Sequence, residues 1–211
     1  MTKPIVIIVG ADKGGVGKTT VSRALLDYLK AQAINHRAFD TENEMDGGVL
    51  KRFFPDRTEI VDLSDSDDQM KVFDTLDAAV TVIDIKAGLL SPTLKLLQDI
   101  GFLDPARYEI IVLHILSNNE ASAGEVGPVK AALGASARHI LVGNRSTATK
   151  FAFPPGSIEI PMLIPDIAEV VDKANQPFSV FATTSSSAVR RGMVKKWLDA
   201  VFAAFAGAKL P

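Results

Sequence analysis

The chain has 211 residues, 47% hydrophobic and 23% charged, so it can build a sizeable core and is not of the disordered type. Its formal net charge of −2 excludes an overall electrostatic attraction to nucleic acid and leaves only a local basic patch for that purpose. The absence of cysteine excludes thiol catalysis, zinc–thiolate sites, disulfides and iron–sulfur clusters.

The opening "MTKPIVIIVGADKGG" has too short an apolar run for a signal peptide, and no stretch of about 18 apolar residues follows. The expectation is a soluble cytoplasmic protein. In chain order, "IVIIV" (5–9) reads as a strand buried on both faces. A helix over 19–32 carries the apolar face Val21, Leu25, Leu26 and Leu29. Strands follow over 37–40 and 58–63, then a helix over 69–76 and a strong strand over 79–85. The helix at 91–102 starts with Ser91 as its cap and Pro92 in its first turn. Strands at 108–116 and 138–144 bracket a helix at 124–134, and helices at 167–175 and 188–205 close the chain. The run "DLSDSDD" (62–68) lacks the glycine and terminal glutamate of a calcium loop and reads as a turn whose aspartate caps the next helix. This alternation predicts an α/β fold in one domain over 1–211: a mostly parallel sheet with helices on both faces and ligands at the carboxyl ends of the strands.

After the first strand comes "GADKGGVGKTT" (10–20). Gly14, Gly15 and Gly17 let the backbone turn its N–H groups, with that of Val16, toward an anion. The helix that begins at Lys18 adds its positive end. Lys18 reaches the β- and γ-phosphates, while the Thr19 hydroxyl, with Thr20 beside it, serves Mg²⁺. The strict pattern G-x-x-x-x-G-K-[ST] is nevertheless broken. Asp12 stands where the first glycine belongs, and Lys13 follows it.

"KGGVGKTT" resembles the deviant Walker A loop of the ParA/MinD family of ATPases, and the resemblance extends over roughly residues 3–180. It implies a P-loop NTPase fold with ATP and Mg²⁺ as cofactors, slow partner-stimulated hydrolysis, and a homodimer formed with ATP. In that family the early lysine reaches the phosphates held by the other subunit, the role implied for Lys13. A triphosphate buried between two subunits needs such extra positive charge. Asp12 either pairs with Lys13 when nucleotide is absent or points outward.

The resemblance assigns further residues. "FDTENE" (39–44) takes the place of the family's D-x-D-P-Q, putting Asp40 near the metal and Glu42 where a carboxylate orients the attacking water. "VIDIKAG" (82–88) resembles the Walker B strand and second switch, with Asp84 delivered to the metal and the Gly88 N–H turned toward the γ-phosphate. Lys86 is unusual there and reads as a surface or partner contact. Asn144 and Arg145 stand where related ATPases read adenine, although Asn144 also reads as a turn residue. Pro165 and Asp166 match a late loop that lines the base. His36, His114 and His139 are scattered, with His114 read as packed in an apolar strand.

In the last helix, about 188–206, Val189, Met193, Trp197, Val201 and Phe205 recur every fourth residue as an apolar stripe. From residue 188 onward five basic residues face one acid, Asp199. Arg190, Arg191, Lys195 and Lys196 are the candidates for the nonspecific DNA binding that the resemblance implies. A MinD-like membrane helix is the alternative. The functional expectation is a ParA-like ATPase that partitions or positions a plasmid, chromosome region or protein cargo with a ParB-like stimulating partner. A MinD-like positioning ATPase comes second. A metabolic enzyme resembling dethiobiotin synthetase, whose loop lacks the signature lysine, comes last.

Overall fold

The computed structural model describes residues 3–44, 48–73, 78–102, 104–118, 123–124, 126–148 and 150–211. Seven strands form one sheet in the order β3-β2-β4-β1-β5-β6-β7. They are β1 (Ile5–Gly10), β2 (His36–Asp40), β3 (Thr58–Ile60), β4 (Val80–Asp84), β5 (Glu109–Leu116), β6 (Arg138–Asn144) and β7 (Ile158–Ile160), and every pairing is parallel. The helices are α1 (Lys18–Ala31), α2 (Ser66–Phe73), α3 (Leu90–Asp99), α4 (Val126–Leu133), α5 (Pro165–Lys173), α6 (Phe178–Thr184) and α7 (Ala188–Gly207).

The central strand shows why the sheet must be covered twice. Ile7 and Val9 join a core with α1, α5, α6 and α7, whereas Val6 and Ile8 join a second core with α2, α3 and α4. Each such side chain, once buried, contributes roughly 1.5–3 kcal/mol. With both faces of a parallel strand closed, polar ligands are left the carboxyl edge, where β1, β4 and β2 end side by side.

Some element boundaries differ from the expectation, for visible reasons. β3 stops at Ile60 because Asp62 turns the chain, accepting from Ser64 N at 2.9 Å. Asp65 then accepts from Asp67 N at 2.9 Å and Asp68 N at 3.1 Å, so an aspartate of this run caps α2, as read. The expected tail of α2 at 74–76 lies outside the described residues. α3 ends early because Gly101, at φ +71°, closes it and Phe102 N returns to Leu97 O at 2.9 Å.

The apolar stripe of α7 is corrected. Four residues advance a helix by about 400°, so an every-fourth stripe drifts about 40° per step. Trp197, Val201 and Phe205 are buried, joined by Val194 and Leu198, while Val189 and Met193 swing out to 65% and 39% exposure.

Candidate nucleotide site

β1 delivers the chain at Gly10 into a loop that re-enters as α1 at Lys18. Two turns of this loop require glycine: Gly15 has φ +72° and Gly17 φ +87°. Val16 drops into the core between them, and Gly14 and Gly15 face solvent. Gly17 also has no room for a side chain, because a Cβ there would stand 2.0 Å from Asn144 Nδ2. α1 begins with no side-chain cap and no acid in its first turn, which leaves its positive end to an anion. Lys13, Lys18, Thr19 and Thr20 are half-buried around this mouth.

Asp84 ends β4 beside it. It is 4% exposed, and its Oδ1 has no hydrogen-bond partner. Burial pushes its carboxyl up to about 7, the neighbouring Asp40 adds to the rise, and the Thr19 hydroxyl and Lys18 charge oppose it. A buried carboxylate oxygen without a partner, hydrogen-bonded on the other side to the P-loop threonine, fits a cation held by Thr19 and Asp84.

Asp40 lies level with Asp84 on the adjacent strand, but its oxygens are already engaged. Oδ2 accepts from Val49 N, Leu50 N and Lys51 N at 2.8, 2.6 and 3.3 Å, and Oδ1 accepts from Glu42 N at 3.0 Å. Its carboxylate thus anchors the loop after β2, and its charge acts on the neighbouring Asp84. Glu42 is half-buried, with Lys86 Nζ 3.6 Å from its Oε1. Gly88 turns at φ +80° and is exposed, and Ala87 lies against Gly14, 3.8 Å from where a Cβ on Gly14 would stand. The segment after β4 thus borders the glycine-rich loop.

Asn144 is buried beneath the loop and donates from Nδ2 to Val16 O at 2.8 Å, a contact its position at the end of β6 did not reveal. Arg145 pairs with Glu159 of β7, Nη2 to Oε2 at 2.6 Å, and lies over the Phe153 ring. Pro165 takes the first position of α5, with Asp166 in the same turn, both exposed at the carboxyl side of β7.

Two further contacts emerge only in three dimensions. Asp12 reaches α3: its carboxylate accepts from the Ser91 backbone and hydroxyl at the start of that helix. Ser91 is thus the capped residue, not the cap. His114 and His139 meet across β5 and β6, ring nitrogens 2.9 Å apart, and burial with the neighbouring His139 holds His114 down to about 3. Among the described residues no group of three or more His, Asp or Glu side chains forms a metal cluster.

No protein-family model matches the sequence, and no curated protein matches it. Solved structures do match in shape. A Borrelia burgdorferi protein assigned to plasmid partition, solved with AMPPNP, superposes at a TM-score of 0.60 and 12% identity, covering 98% of this chain and 100% of its own. The septum-site protein MinD of Pyrococcus horikoshii, solved with Mg-ADP, gives 0.58 at 17% identity, covering 99% of each chain. A ParA family ATPase of Chlorobium tepidum gives 0.54 at 12% identity, covering 93% of this chain and 98% of its own. The fold is that of the MinD and ParA ATPases. At these identities the likeness is one of fold, and the residues of the site carry the rest.

Proposed function

We propose that this protein is a single-domain, Mg²⁺-dependent ATPase of the ParA/MinD type, which uses ATP-dependent dimerisation to partition or position a cargo. One observation carries the reading. The loop with Lys13 and Lys18 opens beside a buried Asp84 whose Oδ1 lacks a partner and whose neighbour is Thr19. Lys18 and the loop amides hold the β- and γ-phosphates, and Thr19 and Asp84 hold Mg²⁺. When bound, the cation neutralises charge on the phosphate oxygens. Glu42 orients water toward the γ-phosphate, and the Gly88 N–H faces the same oxygens. Lys13 serves the nucleotide of a second copy. Pro165 and Asp166 border the base, while Asn144 and Arg145 brace the loops around it.

The surface partner is read from α7. Arg190 and Lys196 are exposed, Lys195 pairs with Asp199 at 2.6 Å, and Arg191 Nη1 donates to Ser185 O. Two copies in a dimer double this charge and suit nonspecific DNA, each contact replacing a counterion. The exposed Val189 and Met193 favour a second reading, shallow attachment to an anionic membrane. No described helix is long and apolar enough to cross a membrane. A ParB-like partner that stimulates hydrolysis belongs to the first reading.

Binding to random-sequence duplex DNA with ATP–Mg²⁺, with ADP and with neither, across a salt series, tests the proposal. ATP-dependent, salt-sensitive binding supports the DNA reading. No binding to DNA with ATP-dependent sedimentation on anionic liposomes favours the membrane. Absence of ATP binding refutes both.

A further inference from the structure

Lys86 stands two residues beyond Asp84, and its backbone is fixed. Its N–H donates to Thr41 Oγ1 at 2.7 Å, and Thr41 N and Oγ1 both donate to Asp84 O, at 3.1 and 3.2 Å. The ends of β2 and β4 are thereby stitched together, and the Lys86 side chain springs from the seam. Its ammonium lies between two acids. Glu44 Oε1 is 2.6 Å away and Glu42 Oε1 is 3.6 Å away. The two acids differ in setting, since the Glu42 side chain is 24% exposed and that of Glu44 77%. Lys86, Glu44 and Asp62 share an open groove of about 410 Å³ that Leu89, Pro92 and Leu96 floor with apolar surface.

An ammonium is a compact charge on a flexible stem, so it can pass between two carboxylates without moving the backbone. An ion pair to an acid as exposed as Glu44 is weak, so the exchange is easy. The geometry points to Lys86 as the positioning residue for Glu42, with Glu44 as the acid that competes for it. While Glu44 holds the ammonium, Glu42 keeps it only at the longer distance. When Glu44 is drawn away, Lys86 closes on Glu42 and fixes that carboxylate at the mouth of the phosphate site. This deepens the proposed function and rests on Glu42 acting on the attacking water.

The test compares Lys86→Ala, Glu44→Gln and the double variant in steady-state ATP hydrolysis, with affinity for a fluorescent ATP analogue measured alongside. Lys86→Ala is expected to lower kcat by about tenfold with KM and affinity within about twofold, and Lys86→Arg to restore most of the loss. Glu44→Gln is expected to raise kcat about threefold, but to have no effect once Lys86 is gone, because its influence runs through the ammonium. Independent, multiplicative effects of the two substitutions overturn the proposal, as does an equal fall in affinity.

A second readout needs no nucleotide. Reductive methylation followed by mass spectrometry reports how well each lysine amine is held. Lys86 is expected to react more slowly than Lys95, whose side chain is 74% exposed, in the wild type and in Glu44→Gln alike. It is expected to react rapidly only in Glu42→Gln/Glu44→Gln. Rapid reaction in Glu44→Gln alone shows that Glu42 does not take over the ammonium. A wild-type protein that hydrolyses no ATP overturns the function of the site and the role of Glu42, while the labelling still decides whether Lys86 passes between the two acids.

Discussion

Asp12 of the phosphate loop caps helix α3 through Ser91, accepting from its backbone N–H at 3.2 Å and from its hydroxyl at 2.5 Å. The N-cap position of α3 is Leu89, which has no side chain able to do this. The carboxylate comes instead from 79 residues earlier in the chain, out of the position where an ordinary P-loop has glycine. The segment between Asp84 and α3 is therefore held at both ends, by Thr41 and by Asp12, which ties it to the glycine-rich loop.

Removal of this contact has a measurable cost. Asp12→Ala leaves the start of α3 uncapped and is expected to destabilise the protein by about 1 kcal/mol, the usual worth of a helix cap. Asp12→Asn keeps one acceptor and retains part of the effect. Urea denaturation of the three proteins checks this, and an unchanged midpoint for Asp12→Ala means that α3 does not depend on the loop.

What was legible in the sequence was what is local. β1, β4 and β5 are apolar runs rich in β-branched residues because both faces are buried, and the glycines and lysines of the loop carry their geometry within eight residues. β7, with three residues, is too short to show a period, and α6 hides in "FSVFATT", whose Thr183 and Thr184 hydroxyls fold back onto Val180 O. The start of α6 is fixed from afar as well: Asp27 of α1 accepts from the Ser179 backbone and hydroxyl. Asp12, Asp27 and Asp40 each complete a distant turn or helix start. No local pattern distinguishes such an aspartate from one that binds a metal, so the sequence alone cannot separate the two roles for Asp40 and leaves Asp12 open.

Asp84 makes ligand-free stability depend on pH. Its folded-state value, about 7, lies above the ordinary aspartate value of 3.8, so between these limits the folded protein keeps a proton that the unfolded chain releases. Stability from this group is present below about pH 4 and is lost as pH rises through 7. Asp84→Asn removes the cost. In the absence of nucleotide the variant is expected to melt above the wild type at pH 8, with the difference closing toward pH 4, while Mg²⁺-dependent ATP hydrolysis is abolished. Thermal melts at pH 4.5 and 8 decide it; parallel pH dependence in the two proteins contradicts the assignment.

Asn144 separates two readings that share one residue. Its Nδ2 props the loop at Val16 O, and its loss is expected to weaken ATP and GTP binding by the same factor, about fivefold to tenfold for one buried hydrogen bond. A residue that reads adenine predicts something else, a loss confined to ATP. Titration of Asn144→Ala with both nucleotides distinguishes them. Gly17→Ala provides the steric counterpart, because its Cβ would meet the same amide at 2.0 Å, and it is expected to abolish binding of either nucleotide.

The two lysines of the loop are expected to fail in different ways. Lys18 begins α1; in the proposed site its ammonium and the helix end act on the same phosphates, so Lys18→Ala is expected to abolish nucleotide binding. Lys13 lies five residues before that start, next to the exposed Gly14 and Gly15. If its charge serves a second copy, Lys13→Ala keeps ATP affinity in the monomer within about threefold and yet blocks ATP-dependent dimers, because the charge it removes is the one needed by the partner's phosphates. Light scattering after size-exclusion chromatography, with ATP–Mg²⁺ and with ADP, reads the second property and equilibrium titration the first. A Lys13→Ala protein that still dimerises with ATP would show that the partner's phosphates do not need this lysine, whereas loss of binding and dimer together would place Lys13 in its own subunit's site.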